Sequence, residues 1–68
     1  MDVQILRQAL KELPTRDREI VLMRFGLEGR KELTQKEVAQ QMGISQSYIS
    51  RLEKKIIRRL KKEIMKYE

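Results

Sequence analysis

The sequence contains no cysteine and no histidine, and its aromatic residues are limited to one Phe and two Tyr. Without histidine there is no side chain that ordinarily serves as a general base near neutral pH. Without cysteine there is no thiolate nucleophile, no disulfide and no common zinc site. Because the hydroxyl groups have no imidazole to activate them, the composition argues against an enzyme and against a metal site, and we expect no cofactor.

Long apolar runs are also absent. No segment approaches the roughly 18 apolar residues of a membrane span. Asp2, Arg7, Lys11 and Glu12 stand where a signal peptide would have its apolar core. We therefore expect a cytoplasmic protein with no membrane partner. At 68 residues the chain should be one domain, 1–68, or a piece of a larger protein, and its core is too thin for a deep catalytic cleft.

Negative charge is scarce in the last third of the chain. The whole sequence has 16 Lys and Arg against 10 Asp and Glu, a net charge of +6. Residues 1–44 hold eight bases and seven acids, whereas residues 45–68 hold eight bases and three acids. This concentration of positive charge is typical of a segment that binds a polyanion. A solvated helix face is the simpler alternative.

Proline and glycine are few, and they mark the ends of predicted helices. Apolar residues at three- and four-residue spacing over 3–13 predict a first helix, which Pro14 ends. Thr15 is predicted to cap a second helix, and Gly26 to end it in the left-handed conformation. The polar segment EGRKEL, 28–33, then predicts a connection.

The next segment predicts two helices joined by a glycine turn. Thr34 and Glu37 have the spacing of a capping box at the start of a third helix. Gly43 is predicted to end that helix, and Ser45 to begin a fourth. The apolar face of the fourth helix continues almost to the end of the chain, through Ile49, Leu52, Ile56, Leu60 and Ile64. The sequence thus predicts an all-α, four-helix domain with a C-terminal helix-turn-helix and a long basic recognition helix.

If Ile49 and Leu52 face the core, the opposite side of the first two turns of the fourth helix is polar. It carries Gln46, Ser47, Ser50 and Arg51. In helix-turn-helix motifs this part of the helix enters the major groove, where Arg pairs with guanine and Gln with adenine. We predict that these four residues read bases and that Arg51 is the main reader. Helix-start chemistry and ordinary surface exposure are the alternatives for the Gln and Ser residues.

Further residues around this stripe are placed to meet phosphates. One group lies where the fourth helix would leave the groove, and the other lies at the positive N-terminal end of the third helix. The predicted phosphate-binding residues are Thr34, Gln35, Lys36, Lys54, Lys55 and Arg58.

Several motifs are more specific than a generic helix-turn-helix. MRFGL, at 23–27, and TQKEVAQQMGISQSYISRLEKKIIRRL, at 34–60, strongly resemble region 4 of bacterial RNA polymerase sigma factors. LKELPTRDREIVLMRFGL looks like the preceding subregion. The resemblance covers essentially the whole chain, with 1–27 similar to subregion 4.1 and 34–60 to subregion 4.2. MRFGL and SQSYISRLEKK look most like the sporulation sigma factors that act in the mother cell.

This resemblance implies that the domain recognises the promoter −35 element in double-stranded DNA. It also implies docking on the flap of the RNA polymerase β subunit, in the bacterial cytoplasm at the nucleoid. The base-reading positions of the family fall on the same four residues of the fourth helix. Several of them differ from the Arg- and Glu-rich stripe of housekeeping sigma factors, so the promoter preference should differ as well.

The sequence has an apolar surplus, that is, more apolar residues than so thin a core can bury. Partner docking would use part of this surplus. The residues predicted for it are Phe25, Leu27, Leu60 and Ile64, and Leu6, Leu10 and Leu22 belong to the same surplus. Simple core packing is the open alternative for each of them. An anti-sigma factor or a transcription activator is a further candidate partner.

Three alternative functions remain open from the sequence. In the first, the chain is a helix-turn-helix domain of another transcriptional regulator. In the second, it acts mainly through protein contacts with polymerase or an anti-sigma factor. In the third alternative, residues 51–67 form a basic amphipathic helix on an anionic membrane. That alternative is disfavoured because the segment has no Trp or Phe to anchor it, and only Tyr67 near its end.

Overall fold

The computed structural model describes residues 3–67. The outer ends of the predicted domain, Met1, Asp2 and Glu68, lie outside this part of the chain. The described residues contain four helices and no strand, which confirms the all-α class. None of these helices combines the length and apolarity needed to cross a membrane. The helices are α1 (Val3–Lys11), α2 (Thr15–Phe25), α3 (Gln35–Met42) and α4 (Gln46–Met65).

The junction between α1 and α2 forms around proline. α1 ends at Lys11, and Leu13 then turns into the core, where it is buried. Pro14, with φ −54° and ψ 151°, is the residue that precedes α2, and its carbonyl accepts a hydrogen bond from the Arg18 N–H at 2.9 Å. The prediction that Thr15 caps α2 is wrong. Thr15 is already the first helical residue, and α2 has no side-chain cap.

The turn after α2 depends on Gly26, as predicted. Its φ of 62° and ψ of 40° are left-handed, and its N–H bonds to the carbonyl of Leu22. Leu27 then packs against the core, and the Leu33 N–H donates to the Met23 carbonyl at 2.9 Å. The connection between α2 and α3 therefore folds back on the end of α2.

Gly26 and Gly43 provide a matched pair of substitutions. Both have positive φ, but a Cβ on Gly26 would lie 2.8 Å from the backbone nitrogen of Glu32, whereas a Cβ on Gly43 would meet nothing within 4 Å. We expect Gly43→Ala to lower the free energy of unfolding by about 1–2 kcal/mol, the cost of left-handed backbone. Gly26→Ala should cost roughly 1 kcal/mol more, because the backbone at Glu32 must move to make room for the Cβ. Urea denaturation followed by helical circular dichroism measures both, and equal losses would contradict the close approach.

The predicted helix-turn-helix is present in α3 and α4. The Thr34 hydroxyl accepts from the Glu37 N–H at 3.1 Å, and the Thr34 N–H donates to the Glu37 carboxylate at 2.9 Å. This capping box starts α3, and Gly43, with φ 69°, ends it. The Ser45 hydroxyl then accepts from the Tyr48 N–H at 3.1 Å and starts α4. The predicted start and stop of α3 and the predicted start of α4 are thereby confirmed.

The core lies along one side of α4, which packs against the other three helices. Ala39 of α3 is 4% exposed and allows the close approach of α4. Because one face of α4 is buried along most of its length, its first two turns are held rigidly with their opposite face outward. The buried apolar residues are Ala9, Leu10, Leu13, Ile20, Val21, Leu22, Val38, Ala39, Ile49, Leu52, Ile56 and Leu60.

Candidate nucleic-acid interface

The first two turns of α4 present the predicted base-reading stripe on the surface. Gln46, Ser47 and Arg51 are exposed, and Ser50 is half-buried. On the other side of the same turns, Ile49 is fully buried. Three of the four predicted readers line one shallow depression of about 360 Å³. Its lining residues are Gln35, Gln46, Ser47 and Ser50. The structure therefore brings these three polar side chains together beside the N-terminus of α3.

Arg51 lies outside that depression and contacts an aromatic ring instead. Its guanidinium carbon is 6.0 Å from the centroid of the Tyr48 ring, and the Tyr48 side chain is 39% exposed. Residues three apart on a helix share a face, so the spacing of this pair in the sequence was a signal for the contact. Sequence reasoning missed Tyr48 because it considered only residues that form hydrogen bonds to bases.

The basic residues that follow the stripe are free to meet a polyanion. Lys54, Lys55 and Arg58 are all exposed, and within residues 3–67 none of them forms an ion pair with a carboxylate. They lie on the outward side of α4 within three turns of its start. Their positive charge can thus be used for contact with an external anion.

The start of α3 gives a second positively polarised edge. The first N–H groups of a helix have no acceptor within that helix, which leaves those of Gln35 and Lys36 directed outward. Thr34 and Lys36 are exposed, as expected for phosphate contact. Hydrogen bonds from Thr34 hold the pKa of the Glu37 carboxyl below its ordinary value. This carboxylate is therefore ionised at neutral pH and completes the capping box.

Gln35 has a structural role in addition to its predicted one. Its side-chain Nε2 donates to Glu53 Oε2 at 2.7 Å, and Arg24 Nε lies 3.3 Å from the same oxygen. Arg24 also donates from Nη1 to the Leu33 carbonyl at 3.2 Å. The Arg24 Nε contact is an ion pair without hydrogen-bond geometry. These side chains join α2, α3 and α4 at Glu53.

Asp17 anchors the opposite flank of α4. The Asp17 side chain is 8% exposed, and its carboxylate lies 3.6 Å from the guanidinium of Arg59 and 3.2 Å from that of Arg16. Arg59 therefore balances a charge within the domain, although the sequence analysis counted it with the bases available to a polyanion. Sequence reasoning also missed Asp17 and Glu53 as positioning groups, because their partners lie on other helices.

The residues predicted for partner docking separate into surface and core. Phe25 is 42% exposed, and its ring lies 5.7 Å from the Arg24 guanidinium carbon. Leu27 and Ile64 are partly buried against the core. Leu60, at 8% exposed, belongs to the core itself, as do Leu10 and Leu22 from the same apolar surplus. Of the four residues predicted for docking, Leu60 is thus packed in the core, and partner docking itself stays a prediction.

The comparisons with known proteins agree with this architecture. The family described as Sigma-70, region 4, matches residues 9–62. The RNA polymerase sigma-E factor of Clostridium acetobutylicum is 64% identical over 66 residues, covering 97% of this chain and 28% of that protein. The RNA polymerase sigma-K factor of Bacillus subtilis is 38% identical over 68 residues, covering 100% of this chain and 23% of that protein.

A third relative, the RNA polymerase sigma-F factor of Bacillus subtilis, is 45% identical over 56 residues, which cover 82% of this chain and 20% of that protein. No solved structure matches the chain significantly. The chain spans about a quarter of the length of the curated relatives it matches. The family match extends over most of the chain and includes all of α3 and most of α4. This protein therefore belongs to the sigma-70 region 4 family.

Proposed function

We propose that the chain recognises the promoter −35 element as the DNA-binding domain of a sigma factor in transcription initiation. The observation that carries the proposal is the exposed polar stripe on the first two turns of α4, rigidly backed by a buried apolar face. In this arrangement the N-terminal part of the recognition helix enters the major groove. Family membership supports the same interpretation.

In the proposed complex each group has a distinct task. Arg51 donates to the acceptor edge of guanine, and Gln46 bonds to the edge of adenine. Ser47 and Ser50 are short, which permits the helix to approach the base edges closely. Phosphates on either side of the groove are bound by Lys54 and its basic neighbours on α4 and by the N-terminus of α3. These contacts set the register of the domain on the DNA.

We infer that the domain also docks on the flap of the RNA polymerase β subunit, and that it works in the bacterial cytoplasm at the nucleoid. In this proposal 1–27 corresponds to subregion 4.1 and 34–60 to subregion 4.2. Exposed Phe25 is available to a protein partner, with Leu27 and Ile64 at partly buried positions. The sigma-E and sigma-K relatives support a factor of the sporulation class. An anti-sigma factor or activator remains a candidate partner.

Selection from a library of short randomised DNA duplexes tests the base-reading role of Arg51. The wild-type chain should enrich a defined sequence. Arg51→Ala should lose the preference at the base pair that Arg51 reads. That preference is expected to be about 1–3 kcal/mol, or roughly 5- to 150-fold in the ratio of affinities for the right and the wrong base pair. The measurement is the base frequency at each position of the bound duplexes, followed by dissociation constants for the enriched and a scrambled duplex.

Arg58→Ala is the matched control, since it removes the same charge from an exposed position two turns further along α4. It should weaken binding to both duplexes by a similar factor and leave the enriched sequence unchanged. Equal loss on the two duplexes in Arg51→Ala would show that Arg51 contacts phosphate only. If the wild-type chain enriched no sequence, direct −35 recognition by this domain would be refuted.

A further inference from the structure

Tyr48 stands out because it is a large exposed ring on the first turn of α4, the turn proposed to enter the groove. It is 39% exposed, whereas Ile49 beside it is fully buried. The ring shares the wall of a cavity of about 160 Å³ with residues of α2 and α4, among them Asp17 and Leu52. The Tyr48 backbone N–H is independently held by the Ser45 hydroxyl at 3.1 Å. The Ser45 hydroxyl caps the helix, so the ring is not needed to start α4 and is available for another contact.

The geometry of Arg51 connects it to this ring. Side chains of a helix lean toward its N-terminus and meet neighbours three residues earlier. The Arg51 guanidinium therefore reaches back toward the first turn, and its carbon lies 6.0 Å from the Tyr48 ring centroid. Within residues 3–67 no carboxylate forms an ion pair with Arg51. The aromatic face is accordingly its observed electrostatic partner.

We propose that Tyr48 is a positioning residue for base recognition: its ring holds the Arg51 guanidinium at the groove-facing end of α4 through a cation–π contact. This inference rests on the proposed function of Arg51 as a base reader. A free arginine side chain loses much rotamer freedom when it is ordered on a base edge. A guanidinium already restrained by the ring loses less on binding, so the contact increases sequence preference through preorganisation.

The test uses Tyr48→Leu and Tyr48→Phe in the same selection from randomised duplexes. Leucine keeps apolar bulk and helix propensity but removes the aromatic face, whereas phenylalanine keeps the face and removes only the hydroxyl. Tyr48→Leu should lower the preference at the base positions affected by Arg51→Ala, by about two- to fivefold for an exposed cation–π contact. Tyr48→Phe should retain the wild-type preference.

The double variant Tyr48→Leu with Arg51→Ala provides the decisive comparison. It should show the preference of Arg51→Ala alone, because the ring acts through that guanidinium. Additive losses would overturn the proposal, as would a uniform loss on enriched and scrambled duplexes in Tyr48→Leu. A loss in Tyr48→Phe would overturn it in favour of a direct contact by the hydroxyl. Unchanged helical circular dichroism and urea midpoints in both single variants would exclude a folding defect.

These outcomes separate the two proposals. If the wild-type chain enriches a sequence and Arg51→Ala changes it, base reading by Arg51 stands whatever Tyr48→Leu does. A Tyr48→Leu variant with wild-type preference at those positions would then refute only the positioning role. If the wild-type chain enriches nothing, the base-reading function fails, and the positioning role fails with it.

Discussion

Ile49→Ala is expected to remove a large share, roughly half, of the stability of the domain. Ile49 is fully buried and is among the largest side chains with no exposed surface. Truncating such an isoleucine costs about 2–5 kcal/mol, because apolar burial is lost and a cavity remains. A domain of 68 residues has a total stability of about 3–10 kcal/mol. Urea denaturation followed by helical circular dichroism should show a large fall in the midpoint or an unfolded chain.

Ile57→Ala is the matched control for this loss. It makes the same chemical change two turns later on α4, but at a half-buried position that lies outside the core cluster. We expect it to cost clearly less than Ile49→Ala, since less surface is re-exposed and solvent fills the gap. Equal destabilisation by the two variants would contradict the assignment of Ile49 to the centre of the core.

The functional consequence of Ile49→Ala follows from its position behind the stripe, on the buried side of the same two turns. The side chain is buried on α4 between the predicted readers Gln46 and Arg51. If the variant retains some folded population, its DNA affinity should fall in proportion to that population. Binding by the folded fraction that is weaker than this would show that the buried face also controls the orientation of the readers.

DNA binding should depend steeply on salt. If the outward bases of α4 and the N-terminus of α3 neutralise about six phosphates, a plot of log affinity against log salt should have a slope near −5. Affinity should therefore fall about a thousandfold between roughly 50 and 200 mM salt. Fluorescence anisotropy with a labelled duplex over this range measures the slope, and a flat response would refute the electrostatic part of the proposal.

Two single-charge variants make this prediction specific to α4. Lys54→Ala removes an exposed base that has no ion-pair partner within residues 3–67, and it should reduce the magnitude of the slope by about 0.9. Arg30→Ala removes the same charge from the connection between α2 and α3, where Arg30 pairs with Glu19 at 2.6 Å. The slope of Arg30→Ala should remain that of the wild type. Similar slopes in the two variants would place the phosphate contacts elsewhere.

Local signals in the sequence were sufficient to predict most of the helix boundaries. The capping box of Thr34 and Glu37 and the left-handed Gly26 and Gly43 depend on neighbours within a few residues, so they can be recognised without the fold. Thr15 is the exception. A threonine after a proline resembled a cap, but the backbone of Pro14 already occupies the extended position that a cap requires.

The face of α4 that meets DNA in our proposal was also predictable, because helical periodicity separates buried Ile49 and Leu52 from the polar stripe. Which apolar residues are exposed and which are buried was not predictable to the same degree. Leu60 and Phe25 are both apolar residues on amphipathic helices, yet Leu60 is 8% exposed and Phe25 is 42% exposed. Which of them is covered depends on how the helices pack against one another.

The sequence by itself determined the four helices, the glycine turn and the outward stripe, since each follows from periodicity or from contacts between near neighbours. Only the tertiary structure decided how α4 is held. Glu53 meets Arg24 of α2 and Gln35 of α3, and Asp17 meets Arg59 across the opposite flank. These partners are distant in the chain and have no periodic relation, so only the packing of the helices brings their charges together.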